Sequence, residues 1–120
     1  VESDPRAVAT IEANLEAIRA PYRRVVRADA LAWLRRGGGR YDLVFLDPPY
    51  EGGRAELDHV LAVLGVKPLL REGFTVVLSR GSRSSNGVIP LHWEAARRLS
   101  YGDSVVTLFR SRDLPGDMEV

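Results

Sequence analysis

The sequence contains no cysteine, a single lysine and no long apolar run. Without cysteine, the chain can form neither a disulfide nor a thiolate metal site. No apolar stretch approaches the roughly 20 residues that a membrane-spanning helix needs, and the N-terminus lacks a signal-peptide pattern. We therefore expect a cytoplasmic protein without a membrane partner. The formal net charge of +1 gives no overall basic or acidic signal.

Length and composition indicate one globular domain. The chain has 120 residues, of which 45% are hydrophobic, as is usual for a domain that buries a core. Arginine supplies all the cations except Lys67. Arginine suits phosphate and base recognition, but a GC-rich genome would give the same bias, so both explanations stay open. We expect residues 1–112 to form the domain and residues 113–120 to be a disordered tail.

The most informative stretch is residues 41–50, where an apolar run stops at Asp47-Pro48-Pro49-Tyr50. Apolar, β-branched and aromatic side chains dominate residues 41–46, which predicts a strand buried on both faces. The two prolines restrict the backbone, so Asp47 and Tyr50 should lie on a stiff turn just past the carboxyl end of the strand. Ligands of open α/β sheets bind there. A plain strand end with a proline turn is the alternative.

The rest of the chain alternates between helical and extended patterns, which predicts an α/β fold. Ser3 or Asp4 should cap the first helix, in which Pro5 suits the first turn. Two strands joined by Tyr101-Gly102-Asp103 predict an antiparallel hairpin at the edge of the sheet. The predicted helices cover residues 5–19, 31–34 and about 57–64, the predicted strands cover 22–27, 74–78 and 105–110, and residues 68–73 are a helix end or turn.

Asp47-Pro48-Pro49-Tyr50 after a strand resembles motif IV of the S-adenosylmethionine-dependent methyltransferases that modify exocyclic amines of nucleic-acid bases. Together with Val1-Glu2-Ser3-Asp4, Asn14-Leu15-Glu16 and Tyr101-Gly102-Asp103, it resembles the RsmD family of bacterial 16S ribosomal RNA guanine-N2 methyltransferases over roughly residues 1–110. The resemblance implies a Rossmann-like fold, with a parallel sheet that ends in an antiparallel hairpin. Asp-Pro-Pro-Tyr alone is shared with adenine-N6 and cytosine-N4 enzymes.

The resemblance also implies a role for each motif residue. The Asp47 carboxylate and the Pro48 carbonyl would accept the N–H bonds of the target amine, and Tyr50 would stack on the flipped base. Glu2 would bind the ribose hydroxyls of S-adenosylmethionine, and Asp29 its adenine amine. Asp29 could instead simply cap the helix that follows it. The predicted catalytic residues are Asp47, Pro48, Pro49 and Tyr50, and the predicted cofactor-binding residues are Glu2, Ser3, Asp29, Ala30 and Asp47.

The expected partner is 16S ribosomal RNA or a small-subunit assembly particle, bound by a monomer. Arg54, Arg80 and Arg83 are candidate contacts to RNA phosphates, because they follow strand ends on the predicted active edge. His59 and His92 lie far apart in the sequence, and we assign neither to a metal site or a catalytic triad.

One family feature is missing from the sequence. Members carry a first strand that ends in a glycine-rich loop of the Asp-x-x-x-Gly-Ser-Gly kind, which wraps the methionine part of the cofactor. This strand lies in the middle of the family's sheet order, 3-2-1-4-5-7-6. We therefore expect a partial methyltransferase domain from a longer gene product, which is doubtful as an enzyme by itself. The alternatives are a non-catalytic RNA-binding or interaction module, an inactive fragment, and an adenine-N6 methyltransferase.

Overall fold

The structure is a computed structural model that describes residues 1–48, 54–84 and 87–112; of Arg54 it describes the backbone alone. The chain divides into two compact units, Val1–Gly37 and Gly38–Val120. Among the described residues, the first unit contains two helices, and the second contains one helix and a four-stranded sheet.

The first unit is built on helix α1, Pro5–Ala17, and helix α2, Ala30–Arg36. Asp4 caps α1, because its side chain accepts a hydrogen bond from the Arg6 N–H at 3.0 Å, and Pro5 occupies the first turn. The spacing of apolar residues thus predicted α1 correctly, although the helix ends two residues before the predicted boundary.

The strand predicted over residues 22–27 is wrong. It is reduced to an isolated parallel bridge between Glu2 and Arg27. Tyr22 has a φ of 51°, which a strand cannot accommodate, and the Arg23 guanidinium donates to the Ala20 carbonyl at 2.7 Å. The backbone before the bridge therefore turns at Tyr22 instead of continuing a ladder.

The second unit begins with strand β1, Tyr41–Leu46, helix α3, Arg54–Val66, and strand β2, Leu70–Gly81. It ends with strands β3, Trp93–Tyr101, and β4, Ser104–Ser111. The sheet order is β1-β2-β4-β3, with β1 and β2 parallel and the other pairs antiparallel. This confirms the predicted parallel pair and the C-terminal hairpin, and the order agrees with the 4-5-7-6 half of the expected sheet.

Strand β2 is longer than predicted, because residues 70–73 extend it where a helix end or turn was expected. The register with β1 is irregular there: Tyr41 pairs with Leu70, but Leu43 pairs with Thr75. Gly73 lies among the extra residues with a φ of 79°, which favours glycine. The residues that suggested a turn in the sequence therefore form a bulge within β2.

The core of the second unit combines one face of α3 with one face of the sheet. On α3, Leu61 is fully buried. On β2, alternate side chains are buried, as expected for a strand with one covered face. The Trp93 ring lies 5.6 Å from the Phe74 ring and 6.1 Å from the Phe109 ring, centroid to centroid. The buried apolar residues of this unit are Leu57, Val60, Leu61, Leu64, Leu69, Phe74, Val76, Leu78, Trp93, Val105 and Phe109.

Strand β1 is not buried on both faces, contrary to the prediction. Among the described residues it pairs with β2 alone, so it is an outer strand. Leu43 is 51% exposed and Phe45 is 71% exposed. The apolar run in the sequence therefore supplies one covered face, and the other face remains open in the part of the chain that the structure describes.

Candidate active site at the carboxyl ends of strands β1 and β2

Asp47 lies where the sequence placed it, directly after β1. Leu46, the last residue of β1, pairs with Leu78 in the parallel ladder, and Asp47 and Ser79 are the residues that follow this pair along the chain. The carboxyl ends of β1 and β2 therefore meet at one edge of the sheet, as expected for the ligand side of an α/β fold.

The Asp47 side chain is exposed, and Pro48 is half-buried. Within residues 1–48, 54–84 and 87–112, no hydrogen bond or ion pair engages the Asp47 carboxylate. An ionised carboxylate is purely a hydrogen-bond acceptor, so Asp47 can receive N–H or O–H donors from a ligand. Pro49 and Tyr50, the other two residues of the predicted catalytic motif, lie outside the described residues.

Glu2 is held at the entry to α1 by its own neighbours. One carboxylate oxygen, Oε2, accepts from the Ser3 N–H at 2.8 Å and from the Asp4 N–H at 3.5 Å. The backbone of Glu2 joins that of the facing segment, since its N–H donates to the Val26 carbonyl and its own carbonyl accepts from the Ala28 N–H, both at 3.0 Å. These bonds fix the position of the Glu2 carboxylate.

Asp29 is the N-cap of α2, as the alternative interpretation held. Its Oδ2 accepts from the Ala32 N–H at 2.9 Å, and Ala30 is the first residue of the helix. Capping occupies one oxygen of the carboxylate, so it does not exclude a contact from the other oxygen to a ligand. The two interpretations of Asp29 are therefore compatible.

The hydrogen-bond acceptors of the first unit suit the adenosine part of S-adenosylmethionine. The parallel bridge places Asp29 two residues beyond the partner of Glu2, so both carboxylates lie at the same end of the bridge. Carboxylates suit the hydroxyl and amine donors that a nucleoside presents. Residues for the methionine part would come from the glycine-rich loop, which has no counterpart in this sequence.

The three candidate RNA-binding arginines have different environments. Arg83 is exposed beyond the end of β2. Arg80 is only 3% exposed, and because it follows Phe74, Val76 and Leu78 at every second position, it lies on the buried face of the strand. A surface contact from Arg80 to a phosphate is therefore not supported. Arg54 begins α3, and its side chain lies outside the described part of the chain.

A polar hollow beside this edge was not predicted. It has a volume of about 390 Å³, and we call it the strand-end hollow; its lining residues are Gly81, Ser82, Arg83, Ser84 and Asp103. The sequence predicted the hairpin turn, but only the strand order shows that β3 runs parallel to β2 and therefore turns at the carboxyl end of β2. That turn is the Gly102-Asp103 segment, which brings Asp103 to the hollow.

Two kinds of feature are absent from the described residues. No helix there is long and apolar enough to cross a membrane. No group of three or more histidine, aspartate or glutamate side chains there is arranged to hold a metal ion.

Comparison with known proteins agrees with this architecture. The profile of a family described as conserved hypothetical protein 95 matches residues 1–110. Among solved structures, yhhF from Escherichia coli, provisionally described as a methyltransferase, superposes with a TM-score of 0.81 at 22% identity, covering 94% of this chain and 63% of its own. HI0767 from Haemophilus influenzae, provisionally described as a methylase, superposes with a TM-score of 0.74 at 19% identity. The match covers 93% of this chain and 70% of HI0767.

A conserved hypothetical protein from Streptococcus pyogenes also matches, with a TM-score of 0.74 at 28% identity, over 93% of this chain and 69% of its own. The chain thus spans about two thirds of the length of these relatives, and less than two thirds of the E. coli protein. The structural matches establish the α/β fold of methyltransferases, with its mixed sheet. The family profile and the motifs together show that the chain belongs to the conserved hypothetical protein 95 family, the RsmD-like family that the sequence resembled.

Proposed function

We propose that the protein containing this chain transfers a methyl group from S-adenosylmethionine to the N2 amine of a guanine in 16S ribosomal RNA, free or in a small-subunit assembly particle, in the cytoplasm. The proposal concerns the whole protein, because the chain spans only 63% of the length of its E. coli structural relative. Family membership and the methyltransferase fold support it.

One observation carries the proposal. An exposed carboxylate, Asp47, stands at the carboxyl end of β1, beside the end of β2, and has no partner among the described residues. Pro48 follows it and leaves a backbone carbonyl without a competing N–H of its own. Two acceptors in sequence at a ligand-binding edge suit a substrate that presents the two hydrogens of an amine.

These acceptors match what the reaction requires. The lone pair of an exocyclic amine is delocalised into the base, so the nitrogen is a poor nucleophile. Hydrogen bonds from the amine to the Asp47 carboxylate and the Pro48 carbonyl would hold the nitrogen in line with the methyl group. The nitrogen becomes cationic as it accepts the methyl, and its proton then leaves readily, so strong general-base catalysis is unnecessary. Tyr50 would stack on the flipped base.

Glu2 and Asp29 would bind the ribose and adenine of the cofactor, whose sulfonium supplies the electrophilic methyl. Each of these carboxylates has one oxygen engaged by backbone N–H groups, which fixes its orientation. Ser3 follows Glu2 and precedes Asp4, the N-cap of α1, whereas Ala30 follows Asp29 and is the first residue of α2.

The test compares Asp47→Ala with Asp42→Ala in the protein that contains the chain. Asp42 is a matched control, since it is also an exposed aspartate of the β1 segment, but it pairs with Arg71 at 3.1 Å. Asp47→Ala should abolish methyl transfer from radiolabelled cofactor to 16S ribosomal RNA from a strain lacking the gene, with cofactor affinity nearly unchanged. Asp42→Ala should retain activity.

Near wild-type turnover of Asp47→Ala would refute the role of Asp47. Mass spectrometry of nucleosides from the product RNA distinguishes N2-methylguanosine from N6-methyladenosine, and therefore the two enzyme hypotheses. RNA binding by the wild-type protein without any methyl transfer would instead favour a non-catalytic binding module.

A further inference from the structure

We infer that the strand-end hollow binds the ribonucleotide next to the methylated guanosine. This inference rests on the proposed function and extends it, because it assigns a subsite for the flanking RNA. The hollow has a volume of about 390 Å³, within the usual range for small-molecule sites.

The hollow has fixed walls, because the loop after β2 and the β3–β4 turn are bonded to each other. The Ser82 N–H donates to the Asp103 carbonyl at 2.7 Å. The Ser84 N–H donates to the Gly81 carbonyl at 2.9 Å, and Gly81 itself pairs with Ser104 across the sheet. A ligand would therefore enter a site that already has its shape, which lowers the entropic cost of binding.

The lining carries one cation and one anion that do not pair with each other. Arg83 and Asp103 are both exposed, and neither forms an ion pair or side-chain hydrogen bond with another described residue. The Arg83 guanidinium suits a phosphate, which it can bind with two parallel hydrogen bonds. The Asp103 carboxylate cannot form a hydrogen bond with an ionised phosphate, which has no donor, but it can accept a hydrogen bond from a hydroxyl or from a base N–H.

This combination selects a ribonucleotide over other anions. A ligand must present a negative group to Arg83 and a hydrogen-bond donor to Asp103. A ribonucleotide does both, with its phosphate and its 2′-hydroxyl, and the 2′-hydroxyl is the group that distinguishes RNA from DNA.

The position of the hollow suits a neighbouring nucleotide. The ladder ends where Leu46 pairs with Leu78; Asp47 follows Leu46 directly, and Gly81 lies three residues beyond Leu78 on β2. Standard strand dimensions put the Cα atoms of Asp47 and Gly81 roughly 8 Å apart. The hollow is thus close to the predicted position of the target amine, as a subsite for a neighbouring nucleotide must be.

The test measures binding of the RNA trinucleotide ApGpA and its DNA counterpart by NMR titration of the protein that contains the chain, without cofactor. Arg83→Ala should weaken binding of both probes by about tenfold, since each has phosphates. Asp103→Ala removes the acceptor for the 2′-hydroxyl, so the preference for RNA over DNA should be lost. Arg97→Ala, which removes an exposed arginine from the middle of β3, is the matched control and should bind like the wild type.

Wild-type affinity of Arg83→Ala for both probes overturns the inference. So does an unchanged preference for RNA in Asp103→Ala, or an equal loss in Arg97→Ala, which would indicate unspecific attraction of charge. The result is independent of methyl transfer. If the trinucleotide pattern holds but Asp47→Ala remains fully active, the proposed catalytic role fails and the hollow remains a nucleotide site. If Asp47→Ala is inactive but the trinucleotide pattern fails, the catalytic role stands and the hollow is not a nucleotide site.

Discussion

Asp29 can be tested for two roles at once, helix capping and adenine binding, because capping engages only one of its two carboxylate oxygens. Its Oδ2 caps α2 through the Ala32 N–H at 2.9 Å, whereas the adenine contact would use the carboxylate as a ligand acceptor. Asp29→Ala removes both roles. Asp29→Ser keeps a capping oxygen but removes the carboxylate, since serine caps helices about as well as aspartate.

The expected changes in the free energy of unfolding follow from the cap. Loss of an N-cap hydrogen bond costs about 1 kcal/mol, and loss of a negative charge at a helix N-terminus costs about 0.3–1 kcal/mol. Asp29→Ala should therefore destabilise the first unit by about 1–2 kcal/mol, and Asp29→Ser by about 0.5 kcal/mol. Helix α2 has seven residues, well below the length at which a helix is stable by itself, so it depends on its cap.

The measurement must separate the two units. The chain has two tryptophans, of which Trp33 lies in α2 and Trp93 in the sheet of the second unit. Fluorine NMR of protein labelled with 5-fluorotryptophan gives one signal for each, so urea unfolding of the first unit can be followed at Trp33. Calorimetric titration of the protein that contains the chain gives the affinity for S-adenosylmethionine.

Both Asp29 variants should lose cofactor affinity, with Asp29→Ser losing it at nearly full stability. Cofactor affinity of Asp29→Ser equal to that of the wild type would refute the adenine contact and leave capping as the role of Asp29. Asp4→Ala is the control, because it removes an equivalent cap from α1. If it lowers affinity as much as Asp29→Ala does, the loss arises from instability of the unit.

Two further predictions concern the second unit. Leu61→Ala should lower the free energy of unfolding by about 2–5 kcal/mol, because Leu61 is completely buried, whereas Leu91→Ala, at a position 90% exposed, should change it little; urea unfolding measures both. Asp58 accepts from the Val88 N–H at 2.8 Å, so Asp58→Ala should cost about 1 kcal/mol in the same assay and speed amide exchange at Val88, while Asp58→Asn should retain most of the bond. Equal effects of the alanine and asparagine substitutions would contradict this role.

The elements that the sequence predicted well are those whose signal is local. Residues 41–46 form β1, and the turn at Gly102-Asp103 forms the hairpin, because the signals of a short apolar run and of turn-forming residues act over a few residues. The position of Asp47 at the strand end follows from the same pattern. The candidate catalytic edge was therefore predictable before the fold was known.

The errors have physical causes beyond the local signal. Residues 22–27 contain strand-forming valines, but a strand requires a ladder partner, and the facing segment supplies a single bridge at Glu2. Arg80 was chosen as a candidate RNA contact because it was expected to follow a strand end, but β2 continues to Gly81, and the period-two relation of Arg80 to Phe74, Val76 and Leu78 places it on the buried face. The strand-end hollow depends on a loop and a turn that are far apart in the sequence, so no local pattern could reveal it.

The two outer strands of the sheet differ in how they are protected against adding another strand. Strand β3 carries charged side chains along its length, including Glu94, Arg97 and Arg98, and charge discourages pairing between molecules. Strand β1 has its charge at the beginning, where Asp42 pairs with Arg71, and then exposes Leu43 and Phe45. Because an apolar outer strand presents unpaired backbone donors and acceptors, β1 is the edge through which separately expressed copies of this chain can associate into extended sheets.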